Sequence, residues 1–156
     1  MMYKSILVPH AGTKAGDKAL EHAKEIAKKH DSEITILHIV ENIPIPPTIT
    51  FSIERKELAK ELKQARIDMK KEMHKMLDKK AEKLRNQGIP TTVKVLHGYP
   101  DEEITRIANE SHFDVVIMAK RRKLPGLKAI LKLGSVSRKV LERIPCPVLL
   151  IDGERG

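Results

Sequence analysis

Short, uniformly apolar runs alternate along this chain with longer stretches in which apolar residues return every three or four positions. Lys4–Pro9 (KSILVP), stopped by Pro9 and Gly12, has the pattern of a strand buried on both faces. From Thr13 the period changes. Ala15, Ala19, Ala23 and Ala27, with Leu20 and Ile26, share one helical face opposite Lys and Glu. Thr13 is a suitable N-cap, and Asp31 and Ser32 break this helix. Ile34–Val40 (ITILHIV) is β-branched enough for a second strand. Glu41–Ser52 holds three prolines and reads as a surface excursion.

A long helix is predicted from about Ile53 to Gln87, with Leu58, Leu62, Ala65, Met69, Met73, Met76 and Leu84 at helical spacings and Gly88 ending it. Thr91–Leu96 (TTVKVL) predicts a third strand. Asp101–Ser111 predicts a short helix carrying Ile104, Ile107 and Ala108, and Phe113–Ala119 (FDVVIMA) a fourth strand. Leu127–Ile144 predicts a mostly helical segment interrupted at Gly134-Ser135, and Val148–Ile151 (VLLI) a fifth strand. The alternation β-α-β-α-β-α-β-α-β predicts an α/β fold, a doubly wound, Rossmann-like parallel sheet with helices on both faces. No fixed-period repeat is visible, so residues 1–156 read as a single domain.

Composition narrows the picture. Apolar residues are 40% of the chain but aromatics only 3%, so the core must be aliphatic. No stretch approaches the roughly 18–20 uncharged apolar residues that span a bilayer. The start, MMYKSILVPHAG, carries no secretory signal pattern, and Cys146 has no cysteine to pair with. A cytoplasmic protein with no membrane partner is expected. The net charge of +9 is unevenly spread. Residues 120–143 hold nine bases (Lys120, Arg121, Arg122, Lys123, Lys128, Lys132, Arg138, Lys139 and Arg143) against the single acid Glu142. Such a surface suits phosphate or an acidic macromolecule. Specific nucleic-acid binding is not expected, because residues 114–156 contain no aromatic side chain on which a base could stack.

Candidate chemistry follows from the fold. In an open parallel sheet, ligands bind beyond the carboxyl ends of the strands, where strand order reverses. That rim carries Pro9–Thr13, Ile39–Asn42, His97–Tyr99 and the basic stretch Ala119–Ser135. Gly134-Ser135-Val136-Ser137 opens a helical run, so its backbone amides and the helix dipole suit an anion. Ser135 acting as a plain cap is the competing reading of the same residues.

The opening KSILVP with AGDKALEHAKEIAKKHDSEITILHIVE, and the ending GLKAILKLGSVSRKVLERIPCPVLLID, resemble universal stress proteins. The resemblance implies strand order 3-2-1-4-5 and a homodimer. It also implies an ATP site in those members that carry two glycines, two residues apart, after strand four, then nine residues, then Gly-Ser or Gly-Thr. Here Ala119 follows Met118 where the first glycine belongs, and the second falls on Arg122 or Lys123. Ala11 stands where nucleotide-binding members tend to carry an acid, and only Gly134 and Ser135 match outright. Glycine lets backbone approach a phosphate, which Arg or Lys at that point prevents, although their side chains hold phosphate themselves.

The expected site therefore comprises Gly134, Ser135, Val136 and Ser137 as amides and hydroxyls, and Arg121, Arg122 and Lys123 as charge. Pro9, Ala11 and Ile39 line the nucleoside side, with Met118 and Ala119 leading into the loop. The expected function is a dimeric stress-response binding module taking ATP or another phosphate-bearing ligand. The alternative is a ligand-free interaction module whose basic surface binds an acidic macromolecule. Slow nucleotide hydrolysis is a third reading, for which no general base can be named.

Other constellations carry less. His10 is expected to face solvent at the rim. No Cys/His/Asp cluster has metal-ligand spacing, so no metal site is expected. Met69, Met73 and Met76 read as core or dimer packing, and Cys146 as a small buried hydrophobe. Val148–Ile151 is expected at the sheet edge, where an apolar strand invites pairing with a second copy.

Overall fold

A computed structural model of the chain describes residues 2–42, 45–49, 52–120 and 135–153, with only the backbone of residues 135–137. The five apolar runs become strands: β1 (Ser5–Pro9), β2 (Glu33–Glu41), β3 (Thr91–Gly98), β4 (Val115–Lys120) and β5 (Val148–Asp152). Between them lie α1 (Lys14–His30), α2 (Ser52–Asn86), α3 (Pro100–Glu110) and α4 (Ser135–Arg143). The strands form one sheet in the order β3-β2-β1-β4-β5, with every pairing parallel. The doubly wound architecture is as predicted. The predicted helical stretch 127–134 lies outside the described residues.

Strand pleating sends successive side chains to opposite faces, and each face has its own core. Ile6, Val8, Ile34, Ile36 and Ile117 pack with Ala19, Ala23 and Ala27 of α1 and Leu77, Ala81 and Leu84 of α2. Leu7, Leu37, Val116 and Met118 pack instead with Ile104, Ile107 and Ala108 of α3 and Val140 of α4. The small alanines of α1 let that helix lie close to the sheet.

The helix boundaries have local causes. Thr13 caps α1, its hydroxyl accepting from the Gly16 amide at 3.2 Å. Asp31 closes it in the left-handed conformation, φ 55°. α3 starts one residue earlier than expected, with Pro100 in its first turn, where a missing N–H costs nothing.

The stripe predicted along α2 is only partly a core stripe. Leu77, Ala81 and Leu84 are buried and Met73 and Met76 pack against the core, whereas Met69 is 48% exposed. The helix has 35 residues, about 52 Å, against about 26 Å for the eight-residue β3. Only its last turns can lie on the sheet.

Candidate functional site

The order of connection reverses at β1, which pairs with β2 on one side and β4 on the other. Chain leaving β1 and β4 therefore parts at their carboxyl ends, and the crevice between them is where an open α/β sheet accommodates a ligand. One wall is the β1–α1 loop, residues 10–13. On the other side stand Ala119 and Lys120 at the end of β4, both half-buried.

The β1–α1 loop is organised around His10. Far from facing solvent as its rim position suggested, this side chain is buried on the α1/α2 side, with the residue 2% exposed. Its Nδ1 accepts the Gly12 N–H at 2.9 Å, so the proton sits on Nε2, which donates to Asp17 Oδ1 at 2.9 Å. The same carboxylate oxygen is 2.8 Å from Lys80 Nζ of α2. His38 Nδ1 donates to the His10 carbonyl oxygen at 2.7 Å, and the His10 amide donates to Leu37 O at 2.8 Å. Gly12 takes φ +80°, beneath Met73 and Met76.

Gly16 makes this arrangement possible. A Cβ there would come within 2.6 Å of His10 Nδ1 and 2.7 Å of Cε1. Burial pushes the His10 pKa below its ordinary value; the hydrogen bond and charge of Asp17 oppose this, while Lys80 and His38 reinforce it. Desolvation acts to raise the Asp17 pKa, but hydrogen bonds from Lys80 and His10 outweigh it and hold the carboxyl below its usual range. His10, Asp17, Lys80 and Gly16 were not among the residues expected from sequence. The available signal was Gly16 itself, since a glycine inside a helix costs about 1 kcal/mol and calls for a packing reason.

The universal stress protein family model matches residues 2–152. The chain belongs to the universal stress protein family. Universal stress protein MJ0531 of Methanocaldococcus jannaschii is 31% identical over 151 residues, 96% of this chain and 82% of that protein. Among solved structures, that of protein MJ0577 is 26% identical with TM-score 0.77, covering 100% of both chains. Two more distant structures share the fold. One is a universal stress protein in complex with cAMP, 15% identical, TM-score 0.68, covering 99% of this chain and 100% of that one. The other is an Arabidopsis thaliana family member with AMP bound, 17% identical, TM-score 0.62, covering 96% and 91%.

In this universal stress protein the expected site residues separate into three groups. Ala11 is exposed on the rim loop, and Ala119 packs against the α1/α2 core. Pro9, Ile39 and Met118 are buried, the last two within the α3/α4 core, so they shape the sheet beneath the crevice. Ser135, Val136 and Ser137 open α4, but their side chains are not described; Arg121, Arg122, Lys123 and Gly134 lie outside the described residues. Gly153, just beyond β5, abuts Ala15 and Ala119, so a side chain at that position would collide with the start of α1.

The basic segment is less isolated in space than in sequence. Asp101 of α3 lies 3.5 Å from Lys139 and 3.9 Å from Arg143 of α4. Those two bases are thus partly neutralised by an acid outside their own stretch. Cys146 is half-buried against the α3/α4 core, and burial pushes its thiol pKa up, away from the reactive thiolate. Among the described residues no group of three or more His, Cys, Asp or Glu could hold a metal ion. None of their helices is long and apolar enough to cross a membrane. A depression of about 520 Å³ lined by Met2, Lys4, Lys29, His30 and Asp31 lies at the opposite, amino-terminal end of the sheet.

Proposed function

We propose that this universal stress protein is a cytoplasmic binding module, not an enzyme, that holds a phosphate-bearing ligand such as ATP in the crevice between β1 and β4. The observation that carries the reading is the reversal of strand order at β1, which opens the crevice at the carboxyl rim beside the residues leading into the basic segment. The amide-rich start of α4 at Ser135 supplies the dipole, and Arg121, Arg122 and Lys123 supply charge. The fold relatives holding AMP and cAMP support a nucleotide as the ligand class. The protein acts as a homodimer paired through β5, whose Leu149 is 39% exposed on an edge strand.

Ala119 and Arg122 in place of glycines keep loop backbone from wrapping a triphosphate, so side-chain charge dominates. Ala11 offers no side-chain acceptor to a base. ATP, GTP and inorganic polyphosphate should therefore bind with similar, modest affinity. Arg122→Ala should weaken all three by roughly 10- to 100-fold, the range of a lost charged hydrogen bond. Ser135→Ala should cost less, since the amides remain. Calorimetry with the three ligands tests this. Strong preference for ATP over GTP contradicts the charge-dominated site, and failure of all three to bind contradicts the ligand reading and favours an acidic macromolecular partner.

A further inference from the structure

Three structural elements meet on the His10 imidazole and its own backbone, and a fourth reaches it through Asp17. Nδ1 holds the Gly12 amide of the rim loop, and Nε2 reaches Asp17 in the first turn of α1. Lys80 of α2 completes the chain at Asp17, and His38 of β2 holds the His10 carbonyl. Neutral imidazole is the one form that fits this set. It offers one acceptor and one donor, and each has its complement in place. Protonated imidazole has two donors, so a proton on Nδ1 would face the Gly12 N–H across 2.9 Å with no acceptor between them. The ring cannot slide away toward α1, because Gly16 already leaves it only the space of a missing Cβ. What can move is Gly12, whose left-handed conformation a glycine readily abandons.

We propose that His10 is a proton-sensitive positioning residue for the rim site: neutral, it holds the β1–α1 loop in the shape that walls the crevice, and protonated, it releases Gly12 and weakens ligand binding. This rests on the reading that the crevice binds a phosphate-bearing ligand. The charged and titratable groups facing the ring are Asp17 from α1, Lys80 from α2 and His38 from β2. Asp17 favours the cation while Lys80 and His38 oppose it, and burial, the largest influence, opposes it too. The release therefore falls on the acid side of the ordinary imidazole range.

The test uses His10→Asn. An asparagine side-chain oxygen can accept the amide two residues on, as in an Asx-turn, and does not titrate. ATP affinity is measured from pH 8 to pH 5 for wild type, His10→Asn and His10→Ala, alongside amide and imidazole NMR of the free proteins. Wild type should lose about two- to tenfold in affinity on acidification beyond the change seen in His10→Asn, the span of one lost neutral hydrogen bond. At pH 8 His10→Asn, which keeps an acceptor for the Gly12 amide, should bind ATP more tightly than His10→Ala. The Gly12 amide of free wild type should shift with the imidazole titration. Equal pH profiles for wild type and His10→Asn overturn the proposal. So does a Gly12 amide indifferent to that titration, or an imidazole that stays neutral until the protein unfolds. If ATP binds at no pH, the ligand reading falls, and the free-protein spectra still decide whether His10 controls the loop.

Discussion

Gly16 is the position where a single added atom would disturb most. Alanine is the better helix former by about 1 kcal/mol, so on a helix surface Gly→Ala should stabilise. Here the new methyl would enter the His10 ring, with ring atoms 2.6–2.8 Å away, and overpacking of that kind costs about 1–3 kcal/mol. The collision should win. Urea unfolding of Gly16→Ala should reveal a net loss of up to about 2 kcal/mol, and a stabilised variant would contradict the packing described for His10. A histidine whose folded pKa lies below its unfolded value stabilises the fold fully above about 6.5 and loses that contribution as pH falls toward the folded value. Little of this was legible in the sequence. A histidine after the β1 proline looks solvent-facing until α1 is laid across it, and the partners at positions 17, 38 and 80 come from three different elements.

The elements themselves were largely legible, because period and punctuation agree in most of them. Alanines at 19, 23 and 27 define the buried face of α1, and Asp31 ends it where expected. Length misleads in α2, whose apolar repeat continues past the end of the sheet, so periodicity alone cannot say which turns are buried. Charge misleads in α4, where Lys139 and Arg143 look unpaired along the chain but face Asp101 of α3. Among the described residues the edge strand β5 makes its ladder only with β4, and the outer edge of such a strand carries a row of backbone donors and acceptors, here beside the exposed Leu149. Pairing with β5 of a second copy about a two-fold axis would satisfy them. Sedimentation should find a dimer at micromolar concentration, and Leu149→Lys should shift it toward monomer. A monomeric wild type, or a dimer indifferent to Leu149→Lys, would contradict this assembly.

At the scale of the whole molecule, one end of the sheet gathers the features that suit an anion. The crevice between β1 and β4, the loop held by His10 and the start of α4 all follow carboxyl ends of strands, as the topology requires. The amino-terminal end carries a depression lined by Lys4 and Lys29, but the connections out of β1 and β4 leave from the other end, so cationic charge is present there without the crevice. A ligand drawn by charge alone would not distinguish the two ends. A ligand placed by the fold would. Two-dimensional amide NMR of the protein titrated with ATP separates these cases directly. Shifts should concentrate at Ala11, Gly12, Thr13, Ala119, Lys120 and Ser135–Ser137, with the amides of Lys4, Lys29 and His30 unmoved; shifts confined to those last three, or spread evenly over the lysine-rich surface, would contradict a ligand placed by the fold.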